Sequence, residues 1–364
     1  MAARSLVSPT SHAVLERALV DKLQRRKAES GGVGELEPLA VRLGLVQRTL
    51  KPRFVSPQLL VFAADHGIAL DGLNEPDGRG THEMVQQLLR GQLPMSVFAR
   101  QQGLELNVVD CGMAQNLPAS ERLLARKIAH GTRHARISAA MTVDQAHAAM
   151  RAGMEIGDQL KGNAVALAGM GVGANESAAM VLARLSGTPV RDLLVPGPRV
   201  DLARVQKMLD IAKATHQRHP AVTDAVEVLA AFGGFEVAVM VGVMLMAASK
   251  RHLLVVDGLP ACAALMIATR IAEPVTDYAV FTRSHGHRGL DKAMGLFQAS
   301  ALMELGLEGI DGTGAALAWP LLAASAALLS EVVDGEDPGP SWPGELAEDE
   351  ADSLRRLFPG EALY

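Results

Sequence analysis

One stretch of the chain joins a carboxylate to the glycines that would let a ligand reach it. This is Leu305–Ala318, reading Leu-Gly-Leu-Glu-Gly-Ile-Asp-Gly-Thr-Gly-Ala-Ala-Leu-Ala. Gly312 and Gly314, either side of Thr313, admit backbone angles closed to other residues and let main chain approach a ligand closely. Asp311 is the ionisable side chain of that turn, and a carboxylate so placed could act as a general base. The same residue could equally cap the helix that starts near Ala315. Local sequence leaves both roles open.

Other chemistry-bearing residues stand where apolar runs end. Leu59–Ala64 leads into Asp65-His66-Gly67, Leu104–Val109 into Asp110-Cys111-Gly112, and Leu253–Val256 into Asp257-Gly258. Short unbroken apolar runs read as buried parallel strands, and their carboxyl ends are where open α/β sheets bind ligands. Asp65 and His66 could also simply pair with each other to order their loop. A further run, Asn163–Leu167, enters Ala168-Gly169-Met170-Gly171-Val172-Gly173-Ala174-Asn175-Glu176-Ser177 and an Ala-rich helix. Gly171 and Gly173 with Asn175 and Ser177 then sit where free backbone N–H groups and a helix dipole would converge on an anion. The spacing fits neither G-x-G-x-x-G nor a Walker A loop, so a plain tight turn is the competing reading.

The remaining candidates are single residues on helices. His82 and Glu83 occupy the first turn of a helix beginning at Thr81. Lys207 lies on a helix over Asp201–His216, where most lysines are solvated. Glu236 is the one acid in an apolar helix over Ala230–Met246 and needs a partner there. After a fifth strand, Ala279–Thr282, comes Arg283-Ser284-His285-Gly286-His287-Arg288-Gly289. Its histidine spacing suits a metal, but no local Cys or carboxylate accompanies it, and no metal site is expected.

These residues require a frame of strands alternating with helices. The pattern predicts an α/β fold: a Rossmann-like, mostly parallel sheet with helices on both faces and a ligand cleft along the strand ends. Two helices within 13–50, broken at Glu29–Gly34, and the helix after Thr313 predict a small helical domain from the N-terminal and C-terminal regions. The division expected is 1–50, 51–300, 301–330 with the catalytic loop, and a flexible acidic tail over 331–364. Arg122–Arg136 reads as an exposed basic segment.

The 364 residues are 49% hydrophobic but only 3% aromatic, so the core must be built from Ala, Leu, Val and Met. A net charge of −5 argues against nucleic acid. Cys111 and Cys262 are too few for a disulfide framework and read as buried thiols of a reducing compartment. Met1–His12 lacks the pattern of a signal peptide, and runs such as Val237–Ser249 are too short to span a membrane. A soluble cytoplasmic protein is expected.

Five segments occur in an order that identifies a resemblance. Phe62-Ala63-Ala64-Asp65-His66-Gly67, Met170-Gly171-Val172-Gly173, Gly233-Gly234-Phe235-Glu236-Val237-Ala238, Val256-Asp257-Gly258 and Gly312-Thr313-Gly314-Ala315-Ala316-Leu317-Ala318 resemble the nicotinate-nucleotide:dimethylbenzimidazole phosphoribosyltransferase family, from about residue 15 to 330. The resemblance implies a homodimer with a Rossmann-like sheet that needs no metal or organic cofactor. It implies transfer from nicotinate mononucleotide to a benzimidazole base, giving an α-riboside with release of nicotinate. Asp311 stands where the family has its glutamate base. Gly171–Gly173 and Lys207 stand where the nucleotide phosphate is held, and Glu83 where a base-pocket glutamine is found. Asp65, His66, Asn175, Ser177, Glu236, Asp257, Ser284, Gly312, Thr313 and Gly314 complete the implied substrate site.

The departures gather at the same turns. Gly169 replaces a glutamate, Ala174-Asn175-Glu176 replaces Asn-Thr-Thr, and Thr282–Gly289 replaces a Ser-His signature. Three readings follow: the family reaction, a related enzyme acting on another base or nucleotide, or a non-catalytic protein that binds the ligand.

Overall fold

The structure, a computed structural model, describes residues 6–73, 78–194, 202–284, 288–307 and 311–333. The Pro196–Pro198 break, His285-Gly286-His287 and the acidic tail beyond 333 lie outside the described residues. The chain divides into two units, Met1–Ser8 with Val55–Trp319, and Pro9–Phe54 with Pro320–Tyr364.

The larger unit is built on seven parallel strands: β1 (Gln58–Ala64), β2 (Glu105–Gly112), β3 (Leu123–Ala125), β4 (Ala164–Met170), β5 (Leu253–Asp257), β6 (Ala279–Ser284) and β7 (Ala301–Glu304). Their order is β3-β2-β1-β4-β5-β6-β7. Every residue of β1, β4 and β5 is buried, the reason these strands read as continuous apolar runs. The sheet grows outward in both directions from the β1–β4 pair. Crossovers therefore leave this pair in opposite directions, the arrangement of a doubly wound fold with helices on both faces.

Two strands escaped the sequence reading. Three-residue β3 lies inside the basic segment and pairs Val108 with Leu123. Much of that segment is half-buried rather than exposed: Lys127 Nζ donates to the Met113 carbonyl at 2.7 Å and to that of Gln115 at 3.0 Å. Four-residue β7 is marked by no turn signal of its own and pairs with β6.

The single helix expected over Ala230–Met246 is two, Ala225–Phe232 and Phe235–Ser249, separated by extended Gly233 and Gly234. The second packs against Val143–Asp158, a helix started by a Thr142–Gln145 capping box. Glycines let these two backbones touch: a Cβ on Gly242 would overlap the Met150 carbonyl, and one on Gly153 the Val239 carbonyl. With so few aromatic residues, close backbone approach does the filling that large side chains do elsewhere.

The smaller unit contains helices Ala13–Ser30 and Leu36–Gln47. Leu15, Leu19 and Leu23, one helical stripe, bury against Ala40 and Leu329. His12 starts the first helix by accepting from Leu15 N–H at 3.2 Å. Helix Thr313–Ser330, which contains Pro320, is the one helix among the described residues long and apolar enough to cross a membrane, and 56% of it is buried in protein.

Gly242→Ala should destabilise the protein by about 3 kcal/mol, because backbone cannot yield as a side chain would. Gly295→Ala, where a Cβ meets open space, should change stability by less than about 0.5 kcal/mol in the same urea titration.

Candidate functional site

Because the crossovers leave β1 and β4 in opposite directions, the two strands end side by side beneath a crevice. Asp65-His66-Gly67 follows β1, and Gly171-Val172-Gly173 follows β4, so chain order and sheet order bring the two together. A Cβ on Gly171 would overlap the Ala64 carbonyl and lie 3.5 Å from His66 Cδ2. Gly173 has φ +92° and caps helix Ala174–Ser186, and a Cβ there would lie 3.1 Å from His66 Cβ. Only glycine combines that angle with that contact. From the other side, Val172 N–H donates to Thr81 Oγ1 at 3.1 Å.

Asp65 ties loops together. Its Oδ2 accepts from Ala114 N–H at 2.7 Å, and its carbonyl from Thr132 N–H at 3.0 Å. Thr132 Oγ1 in turn accepts from Gly67 N–H at 3.1 Å. Asp110, opposite Ala63 on β2, holds Met113 N–H at 2.9 Å and pairs with Lys127 at 3.4 Å.

His66 and Glu236 form a buried pair, with Nε2 3.2 Å from Oε1 and side chains 1% and 0% exposed. The imidazole N–H is not aligned on the carboxylate, and neither Glu236 oxygen accepts a hydrogen bond. The glycine break beside them makes the room: a Cβ on Gly234 would overlap both Glu236 oxygens and His66 Cε1. Burial depresses the basicity of His66, but the Glu236 carboxylate together with Asp65 and Glu176 more than offsets it, so its pKa is raised. Burial, Glu236 and Asp110 push the Cys111 thiol well above its ordinary value, leaving a poor nucleophile.

The second cluster surrounds Asp311. Buried Asp257, the last residue of β5, accepts from Gly312 N–H at 2.7 Å and Ala315 N–H at 3.0 Å through one oxygen, Oδ2. The start of helix Thr313–Ser330 is thus held by a residue distant in sequence, in the capping role that local sequence offers Asp311. Gly258 has φ +96°, and a Cβ on it would overlap the Asp311 carboxylate. Gly312, at φ +95°, would carry a Cβ into Met95 Sδ and 3.2 Å from Ala168 Cβ of β4. The Asp311 turn therefore rests on the strand that ends in the glycine loop. Thr313 is half-buried and Gly314 buried at the head of the same helix.

The other expected residues fall elsewhere or deeper. Ser177 is buried and donates to the Phe232 carbonyl at 2.6 Å, joining two helices. Asn175 is half-buried on the first turn after the glycine loop. Glu83 is exposed and accepts from Gln87 at 3.2 Å. Lys207 is exposed and donates to the Gly72 carbonyl at 3.3 Å. Ser284 is the last residue of β6. No three His, Cys, Asp or Glu side chains group to hold a metal among the described residues.

Sequence reasoning passed over Thr81 and Met95, since neither has a local signal for its distant partner. It also left unexplained the glycine at 169. A Cβ there would lie 2.5 Å from Pro260 Cβ and 2.7 Å from Cγ. The Pro260 ring fills the space a glutamate would need. A separate cavity of about 390 Å³ is lined by Arg133, Thr142, Gln145 and Phe235 among others, and none of the residues around Asp311 lines it.

The fold is that of a doubly wound α/β protein, with the candidate residues gathered at the carboxyl edge of its sheet. The family model DBI_PRT, described as phosphoribosyltransferase, matches residues 8–339. The nicotinate-nucleotide–dimethylbenzimidazole phosphoribosyltransferase of Cupriavidus necator is 41% identical over 333 residues, covering 90% of this chain and 94% of its own. That of Dechloromonas aromatica is 41% identical over 336 residues, covering 90% and 96%. The crystal structure of the Thermus thermophilus enzyme of that name superposes with a TM-score of 0.80 at 28% identity, covering 86% of this chain and 95% of the other. The chain belongs to the nicotinate-nucleotide–dimethylbenzimidazole phosphoribosyltransferase family.

Asp257→Ala removes the acceptor of two backbone N–H groups and should cost about 2 kcal/mol in thermal unfolding. Asp257→Asn keeps one carbonyl oxygen and should cost about 1 kcal/mol.

Proposed function

We propose that this chain transfers the phosphoribosyl group of nicotinate mononucleotide to a benzimidazole-type base, releasing nicotinate and an α-ribazole 5'-phosphate. One acceptor nitrogen attacks the anomeric carbon as the bond to the pyridinium nitrogen breaks, and the configuration inverts. The proton on the other azole nitrogen passes to the Asp311 carboxylate. The pyridinium is already a good leaving group, so orientation of the partners and removal of that proton are the protein's main tasks. The observation that carries this reading is the Asp311 turn, held by Asp257 and resting through Gly312 against Ala168 of the strand that ends in the Gly171–Gly173 loop.

In this reading the loop's backbone receives the phosphate, and Asn175, Thr313 and Gly314 line the nucleotide. Asp65, His66, Glu236, Asp257 and Ser177 support the turns from beneath, with Lys207, Glu83 and Ser284 at the approach. Asp311 is one methylene shorter than the family's glutamate, and Gly258 gives its carboxylate room. The reading includes a cytoplasmic homodimer with no cofactor, nucleic acid or membrane partner.

A second reading, an altered base or nucleotide, is favoured by Pro260 over Gly169 and by buried Glu176 on the first turn after the loop. A panel of azole bases and pyridine nucleotides, resolved by mass spectrometry, separates the two by which pair turns over fastest.

Asp311→Asn should lower kcat by at least about 100-fold with the circular dichroism spectrum unchanged. Turnover equal to the parent protein would remove Asp311 as the base. Gly258→Ala should also suppress turnover, because its methyl takes the space of the carboxylate.

A further inference from the structure

The glycine loop poses an electrostatic problem. A loop before a helix N-terminus attracts anions through its free N–H groups and the dipole. Here the first turn of that helix carries Glu176, which is 8% exposed, so a second negative charge sits by the place where a phosphate would bind. A cation beneath the loop would favour an anion there despite that charge. The imidazole of His66 lies against both glycine positions: a Cβ on Gly171 would lie 3.5 Å from its Cδ2, and one on Gly173 3.6 Å from its Cγ. Its far side faces Glu236, whose oxygens accept no hydrogen bond and are enclosed by protein.

We propose that His66 and Glu236 are a positioning pair for the phosphoribosyl donor, an imidazolium beneath the Gly171–Gly173 loop held in place and in charge by a buried carboxylate. The pair acts through the loop and touches no reacting atom. The proposal rests on the reading that the loop receives the donor's phosphate. It explains why Gly234 is glycine, since any Cβ would displace both partners. It also gives the Gly233-Gly234 helix break a purpose, because that break brings Glu236 beneath the end of β1.

The groups facing His66 are Glu236 from helix Phe235–Ser249, Asp65 from the end of β1, and Glu176 from helix Ala174–Ser186. On the sheet side the neutral Cys111 thiol of β2 faces Glu236. All three carboxylates favour the imidazolium, which burial alone would discharge. Since the folded pKa is raised, the contribution of the charged imidazole is complete below the ordinary histidine value. It is lost as pH rises through the higher folded value.

The test is binding of ribose 5-phosphate by calorimetry across the pH range above 7, where the ligand's own phosphate no longer changes charge. It needs no acceptor base and no turnover, so it stands apart from whether the protein transfers phosphoribose. Affinity of the parent protein should fall with rising pH. In Glu236→Gln, which keeps the shape, that fall should begin about one pH unit or more lower. At pH 7 affinity for ribose 5-phosphate and KM for nicotinate mononucleotide should worsen about tenfold, with kcat changed far less. Glu176→Gln removes the opposing charge and costs His66 only the smallest of its three carboxylate supports, so it should tighten binding severalfold, and it serves if Glu236→Gln does not fold. A pH-independent affinity in the parent protein, or a folded Glu236→Gln with the parent's profile, would overturn the proposal. So would weaker binding in Glu176→Gln. Ribose 5-phosphate binding with the predicted pH dependence but no transfer to any base would instead sink the proposed reaction and leave the pair intact.

Discussion

The parallel pairing of β1 with β4 is the constraint from which the rest of the structure follows. Once the sheet grows in both directions from these two strands, no crossover can cover their shared end, and a crevice results. Chain leaving β1 and chain leaving β4 must then turn within a few ångström of each other. Gly171 cannot carry a Cβ without striking the Ala64 carbonyl, and Gly173 adopts a backbone angle that favours glycine. The glycines of the loop are therefore required by packing before any ligand is considered.

Acids at the strand ends stabilise the turns around this crevice. The Asp65 carboxylate binds the loop at 114, that of Asp110 binds Met113, and that of Asp257 binds the head of the helix that follows Asp311. Each carboxylate accepts backbone N–H donors that would otherwise be stranded at the end of a strand or helix. His66 and Glu236 differ, since they satisfy each other by charge rather than by aligned hydrogen bonds. An interior with so few aromatic rings tolerates this because close backbone contacts, such as Gly153 with Gly242, fix the helices around the pair.

Much of this was legible in the sequence, and the failures have physical causes. The buried strands announced themselves because β1, β4 and β5 have no polar face to interrupt the apolar run. Short β3 and β7 did not, since three or four residues carry no period, and β3 is flanked by charge. The Ala230–Met246 helix was drawn through Gly233-Gly234 because apolar residues continue on both sides, and only the three-dimensional position of His66 shows why the break is needed. At the candidate site, residue types marked the turns but not the partners. Asp311 and Asp257 stood out equally as acids beside glycine. Only the fold shows that Asp257 accepts the helix N–H groups while the Asp311 carboxylate lies over Gly258. Gly169 read as a loss, whereas the Pro260 ring above it shows a substitution matched by its neighbour.

The central claim is that the Asp311 turn and the Gly171–Gly173 loop together carry out one transfer reaction. The most direct measurement is the stoichiometry and anomeric configuration of products from nicotinate mononucleotide and dimethylbenzimidazole with the full-length protein, read by mass spectrometry and NMR. Nicotinate and α-ribazole 5'-phosphate appearing in equal amounts, with the α configuration, is the predicted result. Nicotinate released without that riboside, or a folded protein that releases none, would contradict it.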